Sequence, residues 1–435
     1  MVGAVPAEDL PGDVSSKGYG AKHLQLPPPL PAPPKQQQQH PDVEAESGWF
    51  EEEIDDDLKL CYALNSVLQR GASKYQEIVL LDTKHFGKAL IIDGKMQSTE
   101  MDEFIYHESL IHPPLLFHPN PETVFIMGGG EGSAAREVLR HKTVQRVVMC
   151  DIDQVHVQTL NRIRGHADMF TVYFRITWRM HDQEVVDFCR TYLTMNRQAF
   201  CSEKLCLIIN DARAELEKSK EKFDVIVGDL ADPVEGGPCF QLYTKSFYEL
   251  IVKPKLNDLG IFVTQAGPAG VLTHKQVFSS IYNTLRHVFK YVQAYTAHVP
   301  SFADTWGWVM VISLLSTYDV LFRSTFQFHA VWLTIAFQAS DHPFDLTAQQ
   351  INERIGDRIE GELAYLSGEF FISSTTLNKS VHQSLLNETH VFTEDDARFI
   401  YGHGRACRAI FCRNKYRYEK SDAEIISSFS MMPKL

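Results

Sequence analysis

Short runs in which apolar and polar residues alternate dominate the chain between Trp49 and Asn120. The runs "QEIVLLDT" and "KALIIDGKMQST" are separated by turn residues such as "FG" and "DG". Alternation with a period of two is typical of strands that bury one face, and short turns join such strands into antiparallel hairpins. The pattern predicts a small antiparallel β domain over residues 47–120.

The last part of this region has helical spacing instead. In "DEFIYHESLIHPPLLFHP", apolar residues recur at Phe104, Ile105, Leu110 and Ile111. We expect a helix here that stops at the double proline, because proline lacks the amide proton that a helix interior needs.

From Thr123 the chain alternates continuously apolar strands with helical stretches. The strand candidates are "TVFIMG", "RVVMCD", "LCLIIND", "FDVIVGD", "LGIFVTQAG", "KYVQAYTAHVP" and "WGWVM". Strands that are apolar on both faces belong to mostly parallel sheets covered by helices on both sides. The sequence therefore predicts an α/β, doubly wound nucleoside-binding domain over residues 121–345. Residues 346–435 are predicted to form a C-terminal helical extension and tail.

Composition narrows the possible partners. The chain has 435 residues and a net charge of −13, which argues against nucleic acid or an anionic membrane and is compatible with a cationic ligand. The eight cysteines include no CxxC pair, so we expect reduced thiols in a cytoplasmic protein. Residues 1–46, with "LPPPLPAPPKQQQQHP", are expected to be a disordered Pro/Gln-rich tail without a secretory signal.

The first strand of the α/β domain runs into a glycine loop, "GGGEGS". Gly128, Gly130 and Gly132 leave the backbone bare where a nucleoside must approach it, and Asp151 follows at the end of the next strand, where an acid commonly binds ribose hydroxyls. Glu131, inside the loop, would repel a pyrophosphate or the α-carboxylate of S-adenosylmethionine. It would attract a ligand that carries a sulfonium and a terminal ammonium.

More acids follow at the ends of later strands. Asp229 and Asp232 lie in "GDLADP", and Asp211 follows "LCLIIN". With Glu131 and Asp151 they would place five carboxylates at one edge of the sheet, which is unfavourable unless a polycation or a metal fills the site. A metal is disfavoured because no histidine has ligand spacing with these acids. Helix caps and solvated loop positions remain the alternatives for single members.

These motifs together resemble the spermidine/spermine synthases, which are polyamine aminopropyltransferases. "SKYQE", "GGGEGSAARE", "CDID" and "GDLADP" match the family, and "IYHE", "LADPVEGGPC", "TQAGPAG" and "AYTAHVPSFADTWGWVM" match its plant thermospermine synthase subgroup. The resemblance implies a Rossmann-like, class I methyltransferase-type sheet. It also implies a homodimer or homotetramer that uses no metal and no cofactor besides its co-substrate, decarboxylated S-adenosylmethionine.

The resemblance also implies a role for each matching residue. Asp229 would be the catalytic acid–base. The substrate-binding positions would be Gln76 at the nucleoside, Glu131 and His107 at the aminopropyl ammonium, Asp151 at the ribose, Asp211 and Ala212 at the adenine, and Asp232 and Tyr106 at the acceptor amine. The expected reaction transfers an aminopropyl group to spermidine, giving thermospermine and methylthioadenosine.

Three departures from the spermidine synthase pattern bear on the acceptor. His107 stands for a glutamine, Ala212 for a glycine, and Phe302 for a tyrosine that helps to fix the diamine. They favour spermidine over putrescine. Spermidine or spermine synthesis, S-adenosylmethionine-dependent methyl transfer and a catalytically impaired isoform remain the alternatives.

Two segments interrupt the family pattern. In the family, "CDIDQ" continues directly into "EVVDFC", but residues 155–183 intervene here, and residues 311–338 separate "WGWVM" from "ASDHPFD". Both segments begin with valine and end with glutamine, as an intron that starts with GT and ends with AG would translate. We interpret them as retained introns or a gene-model error, and genuine inserted loops are the alternative.

Overall fold

The computed structural model describes residues 48–55, 58–72, 77–152, 193–233, 239–313, 343–396 and 398. Several sequence predictions concern residues outside these ranges. They are the tail 1–46, Gln76, the segment 155–183, nearly all of 311–338, and the C-terminal tail beyond residue 398.

An antiparallel sheet of five strands opens the described part of the chain, and its strands lie in chain order. They are β1 (Trp49–Asp55), β2 (Leu58–Ala72), β3 (Glu77–Thr83), β4 (Gly87–Ile92) and β5 (Lys95–Thr99). One face packs around the buried residues Tyr62, Leu81, Ala89, Ile91 and Met96. Leu81, Ala89 and Ile91 alternate along β3 and β4 towards this face, while Ile78 and Leu90 belong to a second buried cluster on the other face. The predicted antiparallel sheet is confirmed.

A long helix, α1 (Glu103–Phe117), connects this sheet to the rest of the protein. The prediction that Pro113 and Pro114 end the helix is wrong, because the helix continues through both to Phe117. A proline at 113 leaves the carbonyl of Ser109 without its helical partner. The hydroxyl of Tyr295 donates a 2.9 Å hydrogen bond to that carbonyl and replaces the missing donor.

The second sheet has seven strands in the order β11-β12-β10-β9-β6-β7-β8. They are β6 (Thr123–Gly128), β7 (Arg146–Asp151), β8 (Leu205–Ile209), β9 (Phe223–Asp229), β10 (Leu256–Pro268), β11 (Tyr291–Val299) and β12 (Asp304–Ile312). The five strands from β10 to β8 are parallel, and β12 pairs antiparallel with both β10 and β11. The doubly wound α/β prediction is confirmed.

Helices cover both faces of this sheet. They are α2 (Ser133–Leu139), α3 (Arg197–Phe200), α4 (Ala212–Lys218), α5 (Lys245–Phe247), a π-helical turn (Tyr248–Val252), α6 (Lys253–Lys255), α7 (Phe278–Arg286), α8 (Ala348–Arg358), α9 (Gly368–Ser374) and α10 (Lys379–Asn387). Val124 and Phe125, neighbours on β6, belong to two different buried clusters. Two buried faces explain why the strands are apolar without alternation.

The C-terminal helices belong to the core. Ile351 of α8 and Phe371 of α9 share a buried cluster with α1, and Val381 of α10 belongs to the cluster on the other face. The buried carboxylate of Glu108, on α1, accepts hydrogen bonds from the backbone amides of Ala364, Tyr365 and Leu366 at 2.8–2.9 Å. Several amide donors on one carboxylate compensate its burial and fix the C-terminal segment against α1.

The start of the second interruption lies in β12. Val311 pairs with Phe262 on one side and with Val292 on the other, and it is fully buried. The strand therefore continues beyond "WGWVM", to Ile312, before the chain leaves the described residues. In the described part of the chain, no helix is both long enough and apolar enough to cross a bilayer.

Candidate active site

The glycine loop lies at the carboxyl end of the central strands. Gly128 has φ +79°, and a Cβ atom there would lie 2.1 Å from the carbonyl oxygen of Asp229 on β9. The amide of Gly130 donates a 2.9 Å hydrogen bond to Oδ2 of Asp151, at the end of β7. Glycine is required at position 128 because a side chain would collide with the backbone of β9, whereas a Cβ at position 130 would approach only the Asp151 carboxylate, at 2.7 Å. The loop brings the three strand ends together where open α/β sheets bind ligands.

Asp229 lies at the centre of this edge. The hydroxyl of Tyr106, on α1, donates a 3.0 Å hydrogen bond to its Oδ1. Burial raises the pKa of Asp229 to about 6, against the opposing effects of His107 and the Tyr106 hydroxyl. A carboxyl group with this pKa is ionised at neutral pH and still accepts a proton more readily than a solvated aspartate does.

A second aspartate, Asp232, lies partly buried in the turn after β9. Oδ1 of Asp232 accepts a 3.1 Å hydrogen bond from Nε2 of Gln265, and burial raises the pKa of Asp232 to about 6. The N-terminal sheet adds two groups that the sequence analysis missed. Lys95 lowers the pKa of Asp232 electrostatically, and burial raises the pKa of Glu52 to about 7, with Asp232 adding to the increase. The acidic region therefore extends from the central sheet into the N-terminal sheet.

His107 lies between two carboxylates. Its Nε2 is 2.9 Å from Oε1 of Glu131, and its Nδ1 is 2.7 Å from Oε2 of Glu103 and 2.8 Å from the carbonyl oxygen of the same residue. The sequence analysis placed His107 beside Glu131, and the two side chains are in contact here. Glu103 is a further acid that the sequence analysis missed. The signal was present in the sequence, because Glu103 and His107 are four residues apart on one helix.

Short contacts with oxygen atoms on both sides of the ring favour a proton on each ring nitrogen of His107. The Glu103 carbonyl only accepts, and an unprotonated Nε2 would turn its lone pair towards a carboxylate oxygen. Burial acts to lower the pKa of His107, but Glu131 and Glu103 raise it well above the ordinary value. In the described structure, His107 and its two glutamates therefore form an ion-pair bridge.

Glu131 is stabilised as an anion. Burial acts to raise its pKa, but His107 and hydrogen bonds that include one from Ser98 lower the pKa to about 2. The Ser98 hydroxyl donates to Oε2 of Glu131 over 2.5 Å. The carboxylate in the glycine loop is thus fixed from both sides, by α1 and by β5.

Asp211 and Ala212 lie after β8, at the same edge of the sheet. Oδ1 of Asp211 accepts hydrogen bonds from the amides of Arg213 and Ala214 at 2.8 and 3.3 Å, which makes it the N-cap of α4. Ala212 is buried in the first turn. The cap orients the start of α4, and it explains the position of Oδ1 of Asp211 whether or not a nucleoside is bound.

Aromatic side chains form a wall beside Asp229. The ring of Tyr106 contacts Phe302 and Trp308, with centroid distances of 6.2 and 5.7 Å, and Phe302 packs edge-to-face on Trp306 at 4.8 Å. Phe302 also packs against the N-terminal sheet. The position that carries a hydroxyl in the spermidine synthase pattern is therefore an apolar surface here.

Two protein-family models match the residues that form the two sheets. Residues 103–167 and 175–320 match the spermine/spermidine synthase domain, and residues 48–100 match the spermidine synthase tetramerisation domain. The first match is interrupted at 168–174, inside the segment 155–183.

Whole-chain relatives agree with the domain matches. The chain is 59% identical to thermospermine synthase ACAULIS5 of Arabidopsis thaliana, over 83% of this chain and 90% of the relative. It is 36% identical to a polyamine aminopropyltransferase of Sulfurisphaera tokodaii, over 77% and 92%.

Solved structures share the fold. Spermidine synthase in complex with the transition state analogue AdoDATO superposes with a TM-score of 0.60 at 23% identity, over 81% of this chain and 99% of that one. The spermidine synthase of Thermotoga maritima gives 0.58 at 22% identity, over 81% and 98%. The chain belongs to the spermine/spermidine synthase family, and it is a polyamine aminopropyltransferase.

Proposed function

We propose that the enzyme transfers the aminopropyl group of decarboxylated S-adenosylmethionine to spermidine and forms thermospermine. The observation that carries the proposal is the pair of partly buried aspartates beside the glycine loop, Asp229, which accepts a hydrogen bond from Tyr106, and Asp232, which accepts one from Gln265. Two carboxylates on one turn at the ligand-binding edge of the sheet suit the several positive charges of a polyamine. The relative named thermospermine synthase supports spermidine as the acceptor.

The proposed roles follow the positions of the side chains. Asp151 binds the ribose hydroxyls, and Glu131 binds the ammonium of the aminopropyl group. Asp229 and Tyr106 hold the attacking nitrogen, and Asp232 binds a second nitrogen of the acceptor. Gln76, Asp211 and Ala212 remain proposed contacts of the nucleoside. Glu52 is buried and acts electrostatically with Asp232, and it is the proposed contact for the far end of a long acceptor.

In the transfer step the acceptor nitrogen forms a bond to the methylene carbon beside the sulfonium. The carbon–sulfur bond breaks, its electron pair neutralises the sulfur, and methylthioadenosine leaves. The proton released by the nitrogen passes to Asp229. An alkylammonium with a pKa of ~10.4 lies about 4 pKa units above Asp229 at about 6, which corresponds to ~6 kcal/mol. A solvated aspartate would face about 9 kcal/mol, so burial of Asp229 removes about a third of this cost.

We propose that the reaction needs no metal and no redox cofactor, because the leaving sulfur already carries a positive charge. We also propose a homodimer or homotetramer assembled through the N-terminal sheet, on which Trp49 and Leu58 are 55% and 52% exposed. A cytoplasmic location is part of the proposal. It rests on the sequence and on the five free cysteines of the described residues.

Product analysis tests the choice of acceptor. Incubation with decarboxylated S-adenosylmethionine and either spermidine or putrescine, followed by chromatography, is expected to give thermospermine from spermidine and little product from putrescine. Thermospermine and spermine must be resolved, since they differ only in which end of spermidine is extended. Efficient conversion of putrescine would contradict the proposed acceptor and leave aminopropyl transfer intact.

Phe302→Tyr is expected to increase kcat/KM for putrescine relative to spermidine by at least ~10-fold. The new hydroxyl adds one hydrogen bond to a charged amine, an interaction of ~1.5–3 kcal/mol. Phe302→Leu is the matched control, because it changes the ring without adding a donor or acceptor, and it should not improve putrescine use. An equal gain in both variants would show that space, and not the hydroxyl, sets the preference.

The pH dependence should report the raised pKa values. Transfer needs ionised Asp229, so kcat/KM for spermidine should fall ~10-fold between pH 7 and pH 5, with a midpoint near the pKa of about 6. If Asp232 must also be ionised, the fall will be steeper. Initial rates at constant ionic strength test this. A profile that stays flat down to pH 5 would contradict the role of Asp229.

A further inference from the structure

A continuous row of charged side chains leads from the glycine loop into the protein. Glu131 contacts His107, His107 contacts Glu103, and Nη2 of Arg136 on α2 lies 2.7 and 2.9 Å from the two carboxylate oxygens of Glu103. The charges alternate along the row. The family resemblance placed both Glu131 and His107 at the ammonium of the co-substrate. A protonated His107 cannot accept a hydrogen bond from an ammonium, so Glu131 is the member of the row that we expect to bind it.

Arg136 is itself fixed on two further sides. Its Nε lies 2.9 Å from Oε1 of Glu137, and its Nη1 donates a 2.7 Å hydrogen bond to Oδ1 of Asn196. Nδ2 of Asn196 in turn donates to the carbonyl oxygen of Glu131 at 2.9 Å. The guanidinium is therefore held in one orientation, and through it the Glu103 carboxylate is held against His107.

The cationic His107 presents a problem for binding. The co-substrate carries an ammonium and a sulfonium, and a fixed cation beside Glu131 competes with that ammonium for the same carboxylate. Glu103 reduces the conflict, because its carboxylate lies between His107 and Arg136 and supplies negative charge on the Nδ1 side of the ring. Glu131 then does not have to offset His107 alone and keeps charge for the ligand.

We propose that Glu103, held by Arg136, is a positioning residue for the aminopropyl group: it neutralises the His107 imidazolium so that Glu131 can bind the co-substrate ammonium. The inference rests on the proposed role of Glu131. The charged groups that face His107 are Glu103 on its own helix, Glu131 in the glycine loop and, through its electrostatic effect, Asp229 at the end of β9.

A double-mutant cycle tests the proposal by calorimetric binding at pH 7.5. Glu103→Gln should weaken the binding of decarboxylated S-adenosylmethionine by ~10-fold. The affinity for methylthioadenosine, which lacks the ammonium, should change by less than about twofold. In a His107→Gln background the same substitution should have an effect of less than about twofold. Glu100→Gln is the matched control, because Glu100 lines the same cleft as Glu103 but is exposed and lies outside the row of ion pairs.

Titration of the His107 imidazole by NMR gives a second readout. The ring should stay protonated from pH 6 to 8 both in the parent enzyme and in Glu103→Gln, where Glu131 still contacts Nε2. A ring that is neutral at pH 7.5 in Glu103→Gln would remove the competing cation and contradict the proposal. Equal losses from Glu103→Gln in both backgrounds, or an equal loss of methylthioadenosine binding, would overturn the proposal in favour of a purely structural ion pair. If Glu131→Gln binds the co-substrate normally, the proposed role of Glu131 fails, and this inference fails with it.

Discussion

Replacing Asp229 with asparagine is expected to lower turnover at least ~100-fold, the usual scale for loss of a general base. Asparagine keeps the shape of the side chain and can still accept the hydrogen bond of Tyr106, which lies 3.0 Å away. It cannot take the proton that the acceptor nitrogen must release. Turnover with saturating spermidine measures the effect, and calorimetric binding of methylthioadenosine, which should change little, shows that the site is intact.

Tyr106→Phe separates positioning from proton transfer. It leaves the Asp229 carboxylate in place and removes one hydrogen bond to it, so the expected loss of turnover is ~10-fold, well below that of Asp229→Asn. The lost hydrogen bond should also raise the pKa of Asp229 further and move the acidic limb of the pH profile upwards.

Near-full activity of Asp229→Asn would show that the aspartate is structural.

Gly128→Ala is expected to destabilise the protein by ~3 kcal/mol or more and to abolish measurable transfer. The added Cβ would lie 2.1 Å from the backbone oxygen of Asp229, and φ at this position is +79°. Neither strand can move easily, because Gly128 pairs directly with Asp229 in the sheet. Urea unfolding measures the loss of stability, and the activity assay measures displacement of Asp229.

Gly356→Ala provides the control for this substitution. Gly356 is exposed within α8, and a Cβ there meets no atom within 4 Å. Alanine at such a helical position should stabilise the protein by ~0.4–1 kcal/mol. Equal stability of the two variants would mean that the contact between β6 and β9 is looser than its geometry implies.

The architecture could be predicted from the sequence because buried strands have recognisable patterns of apolar residues. The strands of the central sheet were recognisable as continuous apolar runs, and the glycines mark the position where β6 meets the ends of β7 and β9. The aspartates at these strand ends could be placed together, since parallel strands present their carboxyl ends at one edge. Asp211 shows the limit of this reasoning, because a strand-end acid can equally cap the next helix.

Contacts between distant parts of the chain were not predictable in this way. Helix α1 passes through two prolines because Tyr295 supplies a hydrogen bond from β11, far along the chain. Glu52 and Lys95 look like solvated charges in their alternating strands, and only the packing of the two sheets brings them near Asp232. The role of His107 depends on which carboxylates surround it in space.

The hydrogen bonds of Glu108 to residues 364–366 have a consequence for shortened forms of the protein. Tyr106 and His107 directly precede Glu108 on α1, so cleavage or truncation before residue 364 would leave a buried, uncompensated carboxylate next to both of them. Such a form would lose catalysis although every residue proposed to touch a substrate was still present. Loss of activity on trimming the C-terminus would then reflect a weakened support for α1, and it would give no reason to search that region for a second substrate site.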